Sequence, residues 1–289
     1  MKKEYVYAAT SIFLWSTTAT VAKLLLGSLS SMQIMLASSL VAFVFLLVIN
    51  LVKGTLKEIK EYKISDHIQI FVIGTLGIFL YHLFLYLGID MMDASQAFII
   101  NYLWPIMSVV FACIILKEKL TIRKAIAILL SFAGVIIVTS NGNLLSIEKT
   151  TLTGAFYCVL AAVSYGLFTV LNKKKTYNKY LSMMFYYFYS FIISLIYIVL
   201  AKDGFALSGG QIIGMLWNGI FTTAVPYTAW ALALDKGDTA RISNLAYITP
   251  FLSLVWTFLI LKEELSIYSV LGLVVIILGI FIQIKGKNE

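Results

Sequence analysis

Polar and aromatic side chains recur at helical spacing inside several long apolar runs of the sequence. In one run Thr75, His82 and Tyr86 fall on a common helix face, and in the next Asn101 and Trp104 do so. Polar groups on a membrane helix avoid lipid and face a partner helix or a cavity. For each residue, helix-to-helix hydrogen bonding without ligand contact is the alternative. We expect the following side chains to line one central binding cavity: Trp15, Thr75, His82, Tyr86, Asn101, Trp104, Tyr165, Thr223, Tyr227, Trp230, Asn244 and Tyr247.

His82 is the residue in this set whose side chain can take the largest number of chemical roles. An imidazole can bind a carboxylate or relay a proton near neutral pH, and the alternative is a neutral ring hydrogen-bonded to a neighbouring helix. No Asp or Glu lies in the middle of an apolar run. Proton coupling would therefore use His82 or the substrate itself, and facilitated diffusion is an equal alternative.

Catalysis is not expected from this composition. The chain has two His, two separated Cys and no carboxylate at mid-run depth. Such a set cannot supply a metal site or a general acid–base pair. We therefore predict no enzyme activity, no metal and no cofactor.

Prolines interrupt three of the apolar runs and predict where helices bend. A proline inside a helix removes one hydrogen bond and clashes with the carbonyl four residues before it. For Pro105 and Pro250 those carbonyls belong to Asn101 and Ala246. Freed carbonyls are tolerated in a membrane where they line a cavity, although a simple packing kink is the alternative. We predict helix breaks or hinges at Pro105, Pro226 and Pro250.

The composition places these runs in a membrane. The 289 residues are 61% hydrophobic and only 12% charged, whereas a soluble domain is about 25% charged. A membrane helix needs about 20 apolar residues, and its backbone must bond to itself. The sequence predicts an all-α membrane protein with ten spans at 5–26, 32–52, 67–89, 95–116, 122–140, 152–172, 181–201, 210–234, 240–261 and 267–284.

The charges predict the orientation of these spans. If the N-terminus is cytoplasmic, 18 of the 22 Lys and Arg residues lie in cytoplasmic segments, and both termini are on that side. The net charge of +8 does not indicate nucleic acid binding, because the basic residues lie in short loops beside apolar runs. We expect Lys23 to extend to the membrane surface or to contact an anion, Asp93 to cap or form a turn, and Glu118 and Glu263 to pair with basic neighbours.

The chain repeats itself at an offset of 145 residues. The segment "YLWPIMSVVFACIILKEKL" begins at Tyr102, and "YITPFLSLVWTFLILKEEL" begins at Tyr247. Two five-helix units are therefore predicted, at 1–141 and 150–285. Because five is odd, the second unit must be inverted in the membrane. The charges agree, since the basic pair Arg123 and Lys124 is replaced by Tyr268 and Ser269. Inverted repeats are typical of alternating-access transporters.

The two "P…LKE.L" segments in a ten-span chain resemble the EamA-type family of the drug/metabolite transporter superfamily. The pairs Trp15-Ser16 and Tyr165-Gly166 fit as well, although Ser16 stands where the family usually has Gly. The resemblance implies a carrier in the inner membrane, often an exporter of amino acids or other small metabolites.

We therefore predict a secondary, alternating-access transporter in a bacterial cell membrane. Its partners would be the lipid bilayer and a small-molecule substrate, with a proton as a further candidate and no nucleic acid. The aromatic set favours neutral or zwitterionic metabolites such as amino acids, including aromatic ones. Other metabolites or drugs (nucleosides, sugars, cationic compounds) are the alternative. Nothing resembles a channel filter or a phosphate-binding loop, and no pattern predicts the oligomeric state.

Overall fold

The structure, a computed structural model, describes residues 3–144, 147–173, 177–204, 206–236, 242 and 245–285. Helical structure is present in each of the ten predicted spans, and the described part of the chain has no strand. The helices are α1 (Lys3–Leu26), α2 (Ser31–Lys53), α3 (Ile64–Met91), α4 (Ala94–Ile115), α5 (Ile122–Ser140), α6 (Lys149–Lys173), α7 (Lys179–Ala201), α8 (Gly209–Leu216, Trp217–Ala224 and Val225–Lys236), α9 (Ile248–Leu261) and α10 (Ile267–Lys285).

The apolar composition explains why these segments are helical. Within the described ranges, the seven helices α1 to α7 are long and apolar enough to cross a membrane, and the apolar stretches of α9 and α10 are shorter. A helix satisfies its own backbone hydrogen bonds, which lipid cannot do. The prediction of an all-α membrane protein is confirmed.

The helices pair according to the sequence repeat. α1 packs against α8 and α9, and the corresponding helix α6 packs against α3 and α4. α2 packs against its counterpart α7, and α5 against its counterpart α10. This exchange of partners is what a two-fold relation between the repeats requires.

Close helix contacts repeat the same relation at single residues. A Cβ at Gly134 would lie 2.7 Å from the Gly272 carbonyl oxygen, and a Cβ at Gly279 would lie 2.8 Å from that of Ala127. Gly134 and Gly279 are equivalent positions in the repeat, as are Ala127 and Gly272. Only a residue without a side chain permits these backbones to approach so closely.

A second pair of contacts has the same symmetry. A Cβ at Gly74 would lie 2.6 Å from the Tyr186 ring, and a Cβ at Gly219 would lie 2.6 Å from Val41. Both pairs are again separated by 145 residues. The two glycines stand at equivalent positions of the two units. They therefore allow α3 to pack on α7 in the same way as α8 packs on α2.

Candidate functional site

Two broken helices meet near the centre of the molecule. α4 consists of Ala94–Asn101 and Trp104–Ile115, joined by a turn, and the described part of α9 starts at Ile248 after a turn at Ala246. Pro105 follows the first break and Pro250 the second. Because proline lacks an N–H group, the preceding turn cannot continue with regular hydrogen bonds. Both breaks lie where the sequence predicted freed carbonyls.

One side chain joins the two breaks. The Tyr102 hydroxyl donates a hydrogen bond to the Ala246 carbonyl oxygen at 3.2 Å. The Asn101 side chain instead donates from Nδ2 to the Tyr81 hydroxyl at 3.0 Å. The Ala246 carbonyl oxygen, which also accepts from the Thr249 N–H at 3.0 Å, thus receives a second hydrogen bond from the first unit.

α3 and α8 carry a wider helical turn at equivalent places. Thr75–Leu80 and Trp217–Ala224 are π-helical, and Pro226 follows the second of them. Insertions of this kind often occur at functional sites, because they redirect side chains and free backbone groups. The position of Pro226 predicted a hinge in α8. The equivalent distortion in α3 was not predicted, because α3 has no proline there.

A small cavity lies between these helices. The cavity has a volume of about 30 Å³. This is room for roughly two water molecules at ~10–15 Å³ each. Among the described residues that line it, none is Asp, Glu, Lys or Arg. The lining consists of Trp15, Thr18, Tyr81, Phe98, Asn101, Tyr102, Trp104, Tyr165, Thr222 and Tyr227.

Aromatic rings form most of the cavity wall. The Tyr165 ring centre lies 4.8 Å from that of Tyr81, 5.1 Å from that of Trp104 and 6.0 Å from that of Tyr227. Trp15 lies 5.1 Å from Tyr227. The Tyr165–Tyr81 pair is tilted and the other three are edge-to-face. A wall of such rings favours an aromatic or apolar guest.

Three polar atoms around the cavity have no hydrogen-bond partner among the described residues. They are Nε1 of Trp15, Oγ1 of Thr18 and Oδ1 of Asn101, and all three atoms are buried. A buried polar group without a partner costs about 1–3 kcal/mol. A ligand or ordered water that reached these residues after the helices separate would find one donor, one acceptor and one hydroxyl to satisfy.

The structure brings five predicted residues together at the cavity and places the others behind it or elsewhere. Trp15, Asn101, Trp104, Tyr165 and Tyr227 line it. Tyr247 packs on Phe281, while Asn244 lies outside the described residues. Trp230 packs against Trp15 in a tilted arrangement, with ring centres 5.3 Å apart.

His82 and Tyr86 lie one layer behind the wall. Nδ1 of His82 is 2.8 Å from the Ile78 carbonyl oxygen of its own helix, and its ring centre is 5.7 Å from that of Tyr227. The Tyr86 hydroxyl accepts a hydrogen bond from Asn218 at 2.9 Å. His82 is thus a buried ring with a local hydrogen-bond partner, which is close to the alternative that we gave for it. The partner is its own helix and not a neighbouring one.

The threonines predicted for the site pack inside α3 and α8. The Thr223 hydroxyl donates to the Asn218 carbonyl oxygen at 3.0 Å, within the π-helical segment. The Thr75 hydroxyl is buried and has no partner among the described residues, and it is not at the cavity. Asn218 connects this region, because its side chain also donates to Ser38 at 2.8 Å.

Five lining residues are absent from the predicted set. Thr18 lies one helical turn after Trp15, so the spacing signal was available. Tyr102 opens the repeated segment, and its role depends on a contact 144 residues away. Tyr81, Phe98 and Thr222 carry no comparable signal, because their faces are set by the wide turn in α3 and α8 and by the break in α4.

Charged groups meet at the end of the cavity helices. The Glu263 carboxylate accepts hydrogen bonds from the backbone N–H of Ala94 at 2.8 Å and of Ser95 at 3.0 Å. Nζ of Lys23 donates to the carbonyl oxygens of Ile89 and Met92 at 2.7 and 2.8 Å. The expected pairing of Glu263 with a basic neighbour is therefore wrong, because a helix N-terminus offers two donors at once.

Two neighbouring predictions have different outcomes. Glu118 pairs with Lys124 at 2.9 Å, as expected. Asp93 occupies the N-cap position of α4, but its side chain makes no capping hydrogen bond. Burial and then the Glu263 carboxylate raise the pKa of Asp93, whereas the Lys23 ammonium lowers it.

Comparisons with known proteins agree with this architecture. The model of the EamA-like transporter family matches residues 2–140 and 152–284. An uncharacterized transporter from Clostridium kluyveri is 27% identical over 100% of this chain and 95% of its own length, and one from Archaeoglobus fulgidus is 26% identical over 99% and 100%. A solved crystal structure shares the fold with a TM-score of 0.71 at 18% identity, covering 97% of this chain and 96% of that one. This chain belongs to the EamA-like transporter family, and it is a multi-pass membrane transporter of the drug/metabolite transporter superfamily.

Proposed function

We propose that this transporter is a secondary carrier that exports small neutral or zwitterionic metabolites, with amino acids, including aromatic ones, as its first substrate class. The observation that supports this best is the uncharged aromatic cavity with unpartnered polar atoms at Trp15, Thr18 and Asn101. An aromatic wall fits an apolar body. The Trp15 donor fits a carboxylate and the Asn101 acceptor fits an ammonium, or the neutral equivalents of these groups. We place the protein in the inner membrane of a bacterial cell.

The cavity is too small for a metabolite, which supports a site that opens during transport. Pockets that hold small molecules usually measure about 300–1,000 Å³, whereas this one has room for about two waters. Substrate would therefore enter only after the helices around it separate. We propose that the two units, 1–141 and 150–285, rock against each other around this site, with Pro105, Pro226 and Pro250 as the flexible points.

Coupling to an ion is not required by this site. No described acidic or basic side chain lines the cavity, so there is no fixed charge that a proton or cation must neutralise there. His82 lies behind the wall, and its Nδ1 is close to the Ile78 carbonyl oxygen. We propose that substrate moves down its own concentration gradient, with proton coupling through His82 as the alternative.

The second candidate class contains nucleosides, sugars and cationic compounds. The aromatic wall suits a nucleobase as well as an aromatic amino acid, because both present a flat π-surface. Cationic compounds are disfavoured, because they lack a carboxylate partner among the described lining residues.

The experiment is substrate counterflow in proteoliposomes with the purified chain. Vesicles are preloaded with a panel of unlabelled amino acids, nucleosides and sugars, and entry of labelled tryptophan or tyrosine is followed. We expect transient accumulation with preloaded amino acids and at least about a tenfold loss with Trp104→Ala, whose ring contacts Tyr165.

Trp217→Ala is the matched control. It removes the same side chain from a partly exposed position, where the ring packs on Phe221 rather than on the cavity. Equal loss in both variants would contradict the cavity as the site. Counterflow with nucleosides or sugars alone would overturn the amino-acid assignment.

A further inference from the structure

The repeated Lys-Glu pair has the same backbone in both units. Lys117 and Lys262 are left-handed, with φ of 56° and 58°. The next N–H groups, of Glu118 and Glu263, donate back to the carbonyl oxygens of Ala112 at 3.3 Å and of Thr257 at 3.4 Å. The turn that ends α4 is therefore built like the turn that ends α9.

The two glutamate side chains nevertheless have different partners. Glu118 pairs with Lys124 of its own unit at 2.9 Å. Glu263 crosses to the other unit and accepts two hydrogen bonds from the first N–H groups of α4. The position equivalent to Lys124 is Ser269, so the second unit has no lysine there to compete for the Glu263 carboxylate.

Glu263 replaces a cap that α4 lacks. Asp93 stands at the N-cap position, where an Asp side chain usually accepts from the first turn, but it makes no such bond. A carboxylate at a helix N-terminus gains from the free N–H groups and from the helix dipole. The start of α4 is therefore held by a residue 169 positions away, in the loop between α9 and α10.

This contact acts on the helices that form the cavity. The short first segment of α4, Ala94–Asn101, has the lining residues Phe98 and Asn101 at its other end. α1, which supplies Trp15 and Thr18, is tied to the end of α3 at the same place by Lys23. Both contacts lie on the side that the Lys and Arg distribution predicts to be outside.

We infer that Glu263 is a gating residue, which holds the cavity closed on the predicted outer side by binding the N-terminus of α4, and which must release it for substrate to pass. This inference rests on the proposed carrier function.

Cavity access is measured with a single reporter cysteine. Thr18→Cys places a thiol at the cavity in a chain whose native cysteines are replaced by Cys113→Ser and Cys158→Ala. A membrane-impermeant maleimide is added to intact cells, and the rate of modification is recorded. Lys262→Cys, at an exposed position beside Glu263, reports in a separate chain which membrane face carries the contact.

Glu263→Ala should raise the modification rate of the reporter from that face at least about fivefold, because α4 loses two charge-assisted hydrogen bonds. The matched control is Glu264→Ala, which removes the same side chain from the next, exposed position of the same loop. It should change the rate less than about twofold, because an exposed carboxylate in this loop contributes little to the contact. An unchanged rate in Glu263→Ala, or an equal increase in both variants, would overturn the inference.

A second variant tests the contact from the other partner. Ala94→Pro removes one of the two N–H donors at the first position of α4, where proline is compatible with a helix. Asp93 already has the extended ψ of 136° that a following proline requires. This variant should also raise the modification rate, and an unchanged rate in folded protein, as judged by size-exclusion chromatography, would overturn the inference.

The outcome is separable from that of the carrier proposal. Modification of the reporter needs no substrate, so the Glu263 contact can gate access even in a chain that shows no counterflow with the substrate panel. Counterflow with an unchanged reporter rate in Glu263→Ala would leave the carrier function standing and refute the gate alone.

Discussion

The Tyr102 hydroxyl lies 3.2 Å from the Ala246 carbonyl oxygen and donates a hydrogen bond to it. Each residue belongs to the break that precedes a proline in its own unit, so this bond ties the two interrupted helices together beside the cavity. A rocking movement of one unit against the other would strain or exchange this bond. This link between the two breaks is a neutral hydrogen bond, which is weak enough to break during a transport cycle.

Tyr102→Phe should lower stability by about 1 kcal/mol, because the Ala246 carbonyl loses its side-chain donor while the ring remains. The thermal midpoint of the purified protein in detergent measures the change. Tyr247→Phe, at the equivalent position, is the control, since that ring packs on Phe281 and makes no described bond between the breaks. A larger loss in Tyr247→Phe would contradict the assignment.

Gly134→Ala and Gly279→Ala should destabilise the protein by similar amounts, of order 1–3 kcal/mol each, because both force the same α5–α10 contact apart. A Cβ would meet a carbonyl oxygen at 2.7 and 2.8 Å in the two variants. Gly210→Ala, where no atom lies within 4 Å of the added Cβ, should have little effect. Strongly unequal losses would argue against equivalent packing of the two units.

Trp15→Phe should weaken substrate affinity about tenfold with little loss of stability, because the indole N–H has no protein partner to lose. Trp256→Phe should do the reverse, since its indole donates to the Ser16 hydroxyl at 2.9 Å. Concentration dependence of counterflow and the thermal midpoint separate the two effects. Loss of stability without loss of affinity in Trp15→Phe would show that the indole N–H does not contact substrate.

Asp93→Asn should stabilise the protein at pH 7 and leave it unchanged near pH 4. The pKa of Asp93 is raised above its ordinary value of about 3.9, so the folded state favours the protonated form. The stability that this proton contributes is present below about pH 4 and is lost as the pH rises through the raised pKa. Asparagine keeps the N-cap preference without the charge.

Thermal midpoints of the wild type and Asp93→Asn across pH 4 to 8 measure this difference. The gap between the two proteins should widen with increasing pH. A gap that is constant, or that widens toward acid, would mean that burial and Glu263 do not destabilise the Asp93 carboxylate.

The sequence predicts the helices well, because lipid leaves an apolar run no alternative to a helix. It also predicts the breaks at Pro105 and Pro250, since the missing N–H of proline acts locally. The π-helical turns at Thr75–Leu80 and Trp217–Ala224 were not predictable in the same way. Their residue types are compatible with an ordinary α-helix, so no sequence pattern marks the wider turn.

Side-chain partners across the two units were the least predictable feature. Local charge suggested that Glu263 would pair within its loop, whereas it binds α4. Asn218, which joins Ser38 and Tyr86, gave no signal, because a single polar residue in an apolar run does not reveal its neighbour. Both contacts depend on the relative placement of units far apart in the chain.

Counterflow of a labelled aromatic amino acid without any ion gradient or membrane potential tests the carrier proposal most directly. A carrier that alternates access to one site exchanges internal for external substrate, so preloaded vesicles should accumulate label transiently above equilibrium and saturate with concentration. Entry that never exceeds equilibrium and rises linearly with concentration, from folded protein and across the substrate panel, would contradict alternating access at this cavity.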